Sequence, residues 1–186
     1  MVKHTRAVLD LCFDPEGELL VTASADRSLK VWGTDDGRIQ RSLANHTEIV
    51  NAVAMRPLMR FGGQTLPPYC ASAGDDKTVR IWQPGIGRMV RIVRYHDAEV
   101  TAIVWHPSGK RLYSADRDGV VRIIDGESDR ILGKWKAHDD WIYALAIDPE
   151  GKYLATGDWS GVTRQWDLTA TPPRLIRDLL ESGSAR

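Results

Sequence analysis

Apolar and polar residues alternate with a period of two along short runs, separated by turns rich in Gly, Pro, Asp and Ser. The first runs are Val8-Leu9-Asp10-Leu11-Cys12-Phe13, Leu19-Leu20-Val21-Thr22-Ala23-Ser24 and Leu29-Lys30-Val31-Trp32. Asp14-Pro15-Glu16-Gly17 and Ala25-Asp26-Arg27-Ser28 punctuate them, and a fourth short run spans Arg38 to Leu43. β-Branched and aromatic residues, which fit a pleated and half-buried surface, are frequent throughout. A helical period is suggested only at Leu175–Leu180, where alignment with Ile39–Leu43 and Ile131–Trp135 predicts a strand instead. The pattern predicts an all-β chain of four antiparallel four-stranded sheets.

The pattern is also periodic on a longer scale. His4, His46, His96 and His138 recur at intervals of 42, 50 and 42 residues, and Trp32, Trp82, Ile124 and Trp166 at 50, 42 and 42. Pro15, Pro57, Pro107 and Pro149 keep the same beat. The unit is therefore 42 residues, and one copy carries 8 extra, placed between Pro57 and Ser72 because Pro57 to Trp82 spans 25 residues where Pro15 to Trp32 spans 17. A repeat of this length that cannot bury its apolar faces alone must stack on its neighbours.

These residues carry a resemblance to the WD40-repeat family of β-propellers, extending from about residue 4 to residue 180. The His before the first strand and the Trp-Asp closing the third are marks of that architecture. The full dipeptide stands only at Trp166-Asp167; the others read Trp32-Gly33, Trp82-Gln83 and Ile124-Asp125. The resemblance implies a WD40-type β-propeller with four four-stranded antiparallel blades, at about 4–45, 46–95, 96–137 and 138–180. An insertion near 58–68 falls in blade 2, and 181–186 forms a flexible tail.

The resemblance further implies a buried hydrogen-bonded tetrad in each blade. By position these are His4, Thr22, Asp26 and Trp32, then His46, Ser72, Asp76 and Trp82. Blade 3 offers His96, Ser114 and Asp118, with Ile124 in place of Trp. Blade 4 offers His138, Thr156 and Trp166, with Ser160 in place of Asp. Two tetrads are expected complete and two broken, so blades 3 and 4 are expected to be held less firmly. The chemistry is sound, because buried imidazole, hydroxyl and carboxylate groups are costly unless each finds a partner.

Four blades are expected to use up the sequence, with no strand left over to close a ring by exchange. The expectation is an open half-ring with an apolar face at each end, a size of exposed patch that marks association. It would form a homodimer, be the C-terminal portion of a larger propeller or a partner within one, or close on itself.

Composition narrows the function. Lys+Arg 25 against Asp+Glu 25 removes the electrostatic attraction expected of a nucleic-acid binder. No apolar run approaches a membrane span, and the two cysteines, Cys12 and Cys70, lack metal or redox spacing and suit a reducing, cytoplasmic setting. The four His residues sit one per blade, too dispersed for a metal site. The inner strands offer Asp10, Ala52, Ala102 and Ala144, a poor set for catalysis. The sequence therefore predicts a non-catalytic scaffold without cofactors that binds protein partners, rather than nucleic acid or membrane. The alternatives are a propeller enzyme with a site in the central channel and a purely structural half-ring that completes a larger propeller.

Two surfaces are candidates for partner contact. One is the insertion, where Leu58, Met59, Phe61 and Leu66 are apolar in a loop. The other is the face to which the resemblance assigns partner contacts: Ile49 and Asn51 in blade 2, Glu99, Asp116 and Arg117 in blade 3, and Trp141, Tyr143, Asp158 and Trp159 in blade 4. Three aromatics beside an acid have the composition of an interface hot spot.

Overall fold

The structure, a computed structural model, describes residues 3–179; the expected 181–186 tail and Leu180 lie outside the described residues. The first sheet is β1 (Val8–Phe13), β2 (Leu19–Ser24), β3 (Leu29–Gly33) and β4 (Ile39–Leu43). Next come β5 (Val50–Met55), a small hairpin of β6 (Arg60–Phe61) and β7 (Gln64–Thr65), then β8 (Cys70–Gly74), β9 (Val79–Gln83) and β10 (Arg88–Val93). The third sheet is β11 (Val100–Trp105), β12 (Arg111–Asp116), β13 (Val120–Asp125) and β14 (Ile131–Lys136). The fourth is β15 (Ile142–Ile147), β16 (Tyr153–Asp158), β17 (Thr163–Asp167) and β18 (Arg174–Asp178). Each four-stranded sheet is an antiparallel meander in chain order, with β6 and β7 paired outside it. The extra residues of the second unit form that hairpin, and of the ambiguously helical segment the residues from Leu175 to Asp178 lie in β18.

The sheets stack through their faces, inner strand against inner strand: β1 on β5, β5 on β11 and β11 on β15. Alternation of side chains gives each sheet one face for the sheet before and one for the sheet after. Between sheets 1 and 2 the core is Val21, Ala23, Leu29 and Val31 against Val50, Val53, Cys70 and Trp82. Between sheets 2 and 3, Ala52, Ala71, Ala73 and Ile81 meet Val100, Ile103, Trp105 and Leu112. Between sheets 3 and 4, Tyr113, Ala115 and Val121 meet Ile142, Leu154 and Trp166. Burying a side chain such as Leu29 or Ile142 completely contributes about 1.5–3 kcal/mol.

One irregularity recurs in every sheet. The register of the inner pair slips between Val8 and Asp10, Val50 and Ala52, Val100 and Ala102, and Ile142 and Ala144. The bulged residues are Leu9, Asn51, Thr101 and Tyr143, each five after its blade's His. A bulge re-aims a side chain, and here it lifts one residue per blade out of the ladder where the top loops begin.

Candidate functional site

The top of each blade is organised by its His. His4 Nδ1 donates to Asp26 at 2.8 Å, while Nε2 lies 2.8 Å from Thr22 Oγ1, which accepts from Trp32 Nε1 at 2.9 Å. His46 repeats the chain with Asp76 at 2.8 Å, Ser72 at 2.7 Å and Trp82 at 2.9 Å from the hydroxyl. A neutral imidazole protonated on Nδ1, with the hydroxyl donating to Nε2, gives each donor one acceptor.

In blades 3 and 4 the structure corrects the sequence expectation. His96 Nδ1 is 2.9 Å from Asp116, not Asp118, which is exposed. His138 Nδ1 is 2.8 Å from Asp158, and Thr156 Oγ1 accepts from Trp166 Nε1 at 3.0 Å. The fourth tetrad is therefore complete, and Ser160 only donates to the other oxygen of Asp158 at 2.8 Å. The third lacks just the indole, whose place Ile124 fills with a fully buried side chain.

The carboxylate reaches His from two different backbone positions, four residues after the hydroxyl in blades 1 and 2 and two after it in blades 3 and 4. Both positions work because an Asp can order its own turn while its second oxygen faces the imidazole. Asp26 accepts from the Ser28 amide and hydroxyl, and Asp76 from those of Thr78. Asp116 accepts instead from the amides of Asp118 and Val120, and Asp158 from that of Val162. Every turn keeps a left-handed residue at the same place, Arg27, Lys77, Gly119 or Gly161.

Burial alone would raise the carboxyl pKa values of Asp26, Asp76, Asp116 and Asp158, but the hydrogen bonds from His, turn hydroxyls and amides outweigh it and hold all four below the ordinary value. Burial pushes His46 and His96 below theirs, although Asp76 and Asp116 pull the other way.

These pairings remove Asp116 and Asp158 from the set of partner contacts, since both carboxylates are spent inside the fold. Asn51 is also committed: its amide donates to Asp75 at 2.7 Å and to the carbonyl of Val100 at 2.9 Å. Thr101, at the same bulge, donates to the carbonyl of Ile142. Ile49 and Glu99 are half-buried, and the Ile49 carbonyl accepts the amide of Asp75.

The blade 4 aromatics do come together at the surface. Tyr143 lies between the two tryptophans, 6.4 Å from Trp141 and 5.6 Å from Trp159, centroid to centroid. The Trp159 amide donates to the Trp141 carbonyl at 2.8 Å, which joins the two loops. Trp159 is 71% exposed and the other two rings more than 40%. Arg117 extends this surface to blades 2 and 3: its guanidinium lies 5.0 Å from the Trp141 ring, 3.4 Å from Asp75 and 3.9 Å from Glu99.

At the other end of the blades, the sequence reading missed Arg56. It is buried over the rings of Trp105 and Tyr69, donates to the Gly109 carbonyl at 2.7 Å and pairs with Glu127. Its only signal was a basic residue next to Pro57, which periodicity cannot interpret. On the inner strands, both oxygens of Asp10 are occupied, one by the Leu11 amide at 2.8 Å and the other by the Val53 amide at 2.8 Å. Among the described residues, no group of three or more His, Cys, Asp or Glu is placed to hold a metal.

Four strands per unit, stacked inner strand to inner strand, with a His–hydroxyl core in each, define a repeat family. The family model described as "WD domain, G-beta repeat" matches residues 1–33, 37–83, 87–125 and 129–167. The chain belongs to the WD40 family. Among curated WD40 relatives, it is 38% identical over 52 residues to the COMPASS component SWD3 of Saccharomyces cerevisiae, covering 28% of this chain and 16% of that protein. It is 44% identical over 59 residues to human WD repeat and SOCS box-containing protein 1, covering 31% and 14%. Nuclear distribution protein PAC1 of Arthroderma benhamiae matches over 125 residues at 30% identity, covering 66% and 27%. The matched stretches thus span well under a third of these relatives. WD40 repeats in general serve as protein–protein interaction scaffolds, and the family is generally non-catalytic.

Proposed function

We propose that the top of blades 3 and 4 is the docking surface of this scaffold, with Trp141, Tyr143 and Trp159 as anchors. The observation that carries the reading is the exposed three-ring cluster. Large rings give contact area at little entropic cost and dominate interface energetics. Arg117 buttresses one side of the cluster and ties it to blades 2 and 3, so the surface is preorganised.

The partner chemistry follows from what remains exposed. With Asp116 and Asp158 engaged, Asp118 and Asp139 are exposed carboxylates in the adjoining loops. Aromatic faces beside carboxylates favour a segment carrying Lys or Arg among apolar residues. The occupied oxygens of Asp10 support a non-catalytic role. Free thiols at Cys12 and Cys70 in an apolar setting support a reducing compartment, and burial drives the Cys12 thiol up to about 12.

The test compares partners captured by the wild-type chain and by a Trp141→Ala/Trp159→Ala variant, with affinities measured for those recovered. The expected loss is about thirtyfold, or roughly 2 kcal/mol, with an unchanged melting curve. Equal affinity in a folded variant would place the docking surface elsewhere.

A further inference from the structure

A second bulge recurs in the outer pair of every sheet. It falls between Ile39 and Arg41, Met89 and Arg91, Ile131 and Gly133, and Leu175 and Arg177. The residue just past the bulge is thus arginine in three blades and glycine in blade 3. Directly paired residues share a face of the sheet. Arg41, Arg91 and Gly133 pair with Val31, Ile81 and Ile123, so each stands on the face toward the next blade.

Arg41 and Arg91 use that place to reach across their junctions. The stem of Arg41 packs on Gly87, in the turn from β9 to β10, with its Cδ 3.2 Å from where a β-carbon on that glycine would lie. Arg91 Nη2 donates to the Gly126 carbonyl at 2.8 Å and Nη1 to that of Glu127, in the turn from β13 to β14. At the junction of blades 3 and 4, Gly133 has no side chain to lay against the turn from β17 to β18. A β-carbon there would meet only Ile123 Cδ1, at 3.7 Å.

The place stands open as a cleft of about 220 Å³. Tyr113 and Ile123 form its floor, Leu132 one wall, and Leu168, Pro172 and Pro173 the other. Its charged lining is Arg111 and Lys134, both exposed. Among the described residues no carboxylate lines it. Asp167, the acid of the adjoining turn, is already engaged: it accepts from the Thr169 amide and hydroxyl and pairs with Arg174 at 3.5 Å.

We propose that this cleft binds a short segment of a protein partner that carries apolar side chains and at least one Asp or Glu. Its volume suits side chains rather than a cofactor, for which pockets of about 300–1,000 Å³ are usual. Floor and walls offer apolar cover where Arg41 and Arg91 lay their stems at the other junctions. Arg111 and Lys134, unopposed at the mouth, attract a carboxylate and repel a cation. Pro172 and Pro173 fix the backbone of one wall, so little order has to be gained there on binding. The cleft lies at an internal junction, at the opposite end of the blades from Trp141, Tyr143 and Trp159, and does not depend on that surface.

The test selects peptides from a random display library on the full chain and measures each selected sequence against purified variants. A class rich in apolar residues and Asp or Glu is expected to bind wild type and the Trp141→Ala/Trp159→Ala variant alike. Gly133→Leu fills the cleft without changing its charge, at a position whose backbone is not left-handed. It should weaken that class at least about tenfold. Arg111→Glu/Lys134→Glu should weaken it by at least about as much and abolish the fall of affinity with added salt. Both charged side chains are exposed, so this second variant should melt as wild type does, and it carries the test if Gly133→Leu folds poorly. Selection that yields no acidic class, or an acidic class that either folded variant binds as tightly as wild type, overturns the proposal. So does loss, on Gly133→Leu, of a class that is neutral or basic, since the two cations would then not set the partner.

Discussion

His96 donates from Nδ1 to Asp116 across 2.9 Å, while Asp118, two residues farther along the same turn, faces solvent. The side chain of Asp116 is completely buried and also receives Arg122. The two aspartates are chemically identical, so their difference in environment should appear directly in stability. Asp116→Ala leaves His96 and two turn amides poorly satisfied and should destabilise the chain by roughly 1–3 kcal/mol. Asp118→Ala, at an ordinary surface position, should cost under about 0.5 kcal/mol. Chemical denaturation of the two variants provides the comparison, and equal midpoints would contradict the pairing.

The same reasoning separates Asp158 from Ser160 in blade 4. Asp158→Ala removes the acceptor of His138 and of the Val162 amide, whereas Ser160→Ala removes one exposed hydroxyl. The first should cost roughly 1–3 kcal/mol and the second a few tenths. A larger loss for Ser160→Ala would restore the four-residue spacing to this blade.

How far the sequence was legible follows from these turns. Strand positions, the repeat and the sheet count are written in a two-residue alternation and a 42-residue beat, both set by side-chain burial along a regular backbone. The first two tetrads are equally legible, because Asp26 and Asp76 hold equivalent places. Position alone fails at Asp116 and Asp158, because a carboxylate can reach the imidazole from either of two places in a turn of constant length. Blade 3 carries Asp at both, and only the geometry shows that the one ending β12 can face His96 while it caps the turn. Clustering of Trp141, Tyr143 and Trp159 was legible as composition, but the span of Arg117 to Asp75, Glu99 and Trp141 was not. That network joins three repeats and leaves no trace in any one of them.

Protonation gives a prediction of its own. His46 and His96 are held below the ordinary 6.5 by burial in the folded chain, so as pH falls through that value the unfolded chain binds more protons. Stability therefore declines on acidification from there toward the lower folded pKa values. The depressed carboxyls of Asp26, Asp76, Asp116 and Asp158 act in the same direction below 3.8, where the unfolded chain protonates first. Denaturation midpoints measured from about pH 8 to pH 3 should fall in two stages. A flat profile through the histidine range would show that these imidazoles titrate alike in both states.

Two glycines at the same turn position should differ in tolerance. Gly119 and Gly161 both adopt a left-handed backbone, which costs a residue bearing a β-carbon about 1–2 kcal/mol. A β-carbon on Gly119 would also collide with the backbone carbonyl of His138, whereas Gly161 opens onto free space. Gly119→Ala should therefore lower the melting temperature more than Gly161→Ala. Equal shifts would mean that the loop entering blade 4 yields without cost.

The insertion of blade 2 divides into a base that holds neighbouring blades together and a tip that does not. At the base, Arg56 is buried against Trp105, Gly109 and Glu127, and Met59 lies against Gly109, so this segment reaches the first turn of blade 3. A cleft above it is lined by Pro15 of blade 1 together with Pro57, Leu66, Pro67 and Tyr69. The tip is a two-stranded hairpin turning through Gly62 and Gly63, both left-handed, with Phe61 80% exposed. Such a turn twists in the sense that its flanking strands require, and the two short strands pair with each other outside the blade. Removing Arg60 to Thr65 and joining the ends with a short polar turn should leave folding intact, because lengthening or shortening a surface loop changes closure entropy only slowly. Arg56→Ala should instead cost roughly 1–3 kcal/mol, because it leaves the Gly109 carbonyl without its donor and uncovers the rings beneath. Glu127 adds little to that loss, since its carboxylate is mostly exposed and can return to water. Thermal melts of both variants decide the matter. A tip deletion that unfolds the chain would show the whole insertion to be structural, while an Arg56→Ala chain as stable as wild type would show that blades 2 and 3 are held by their apolar faces alone.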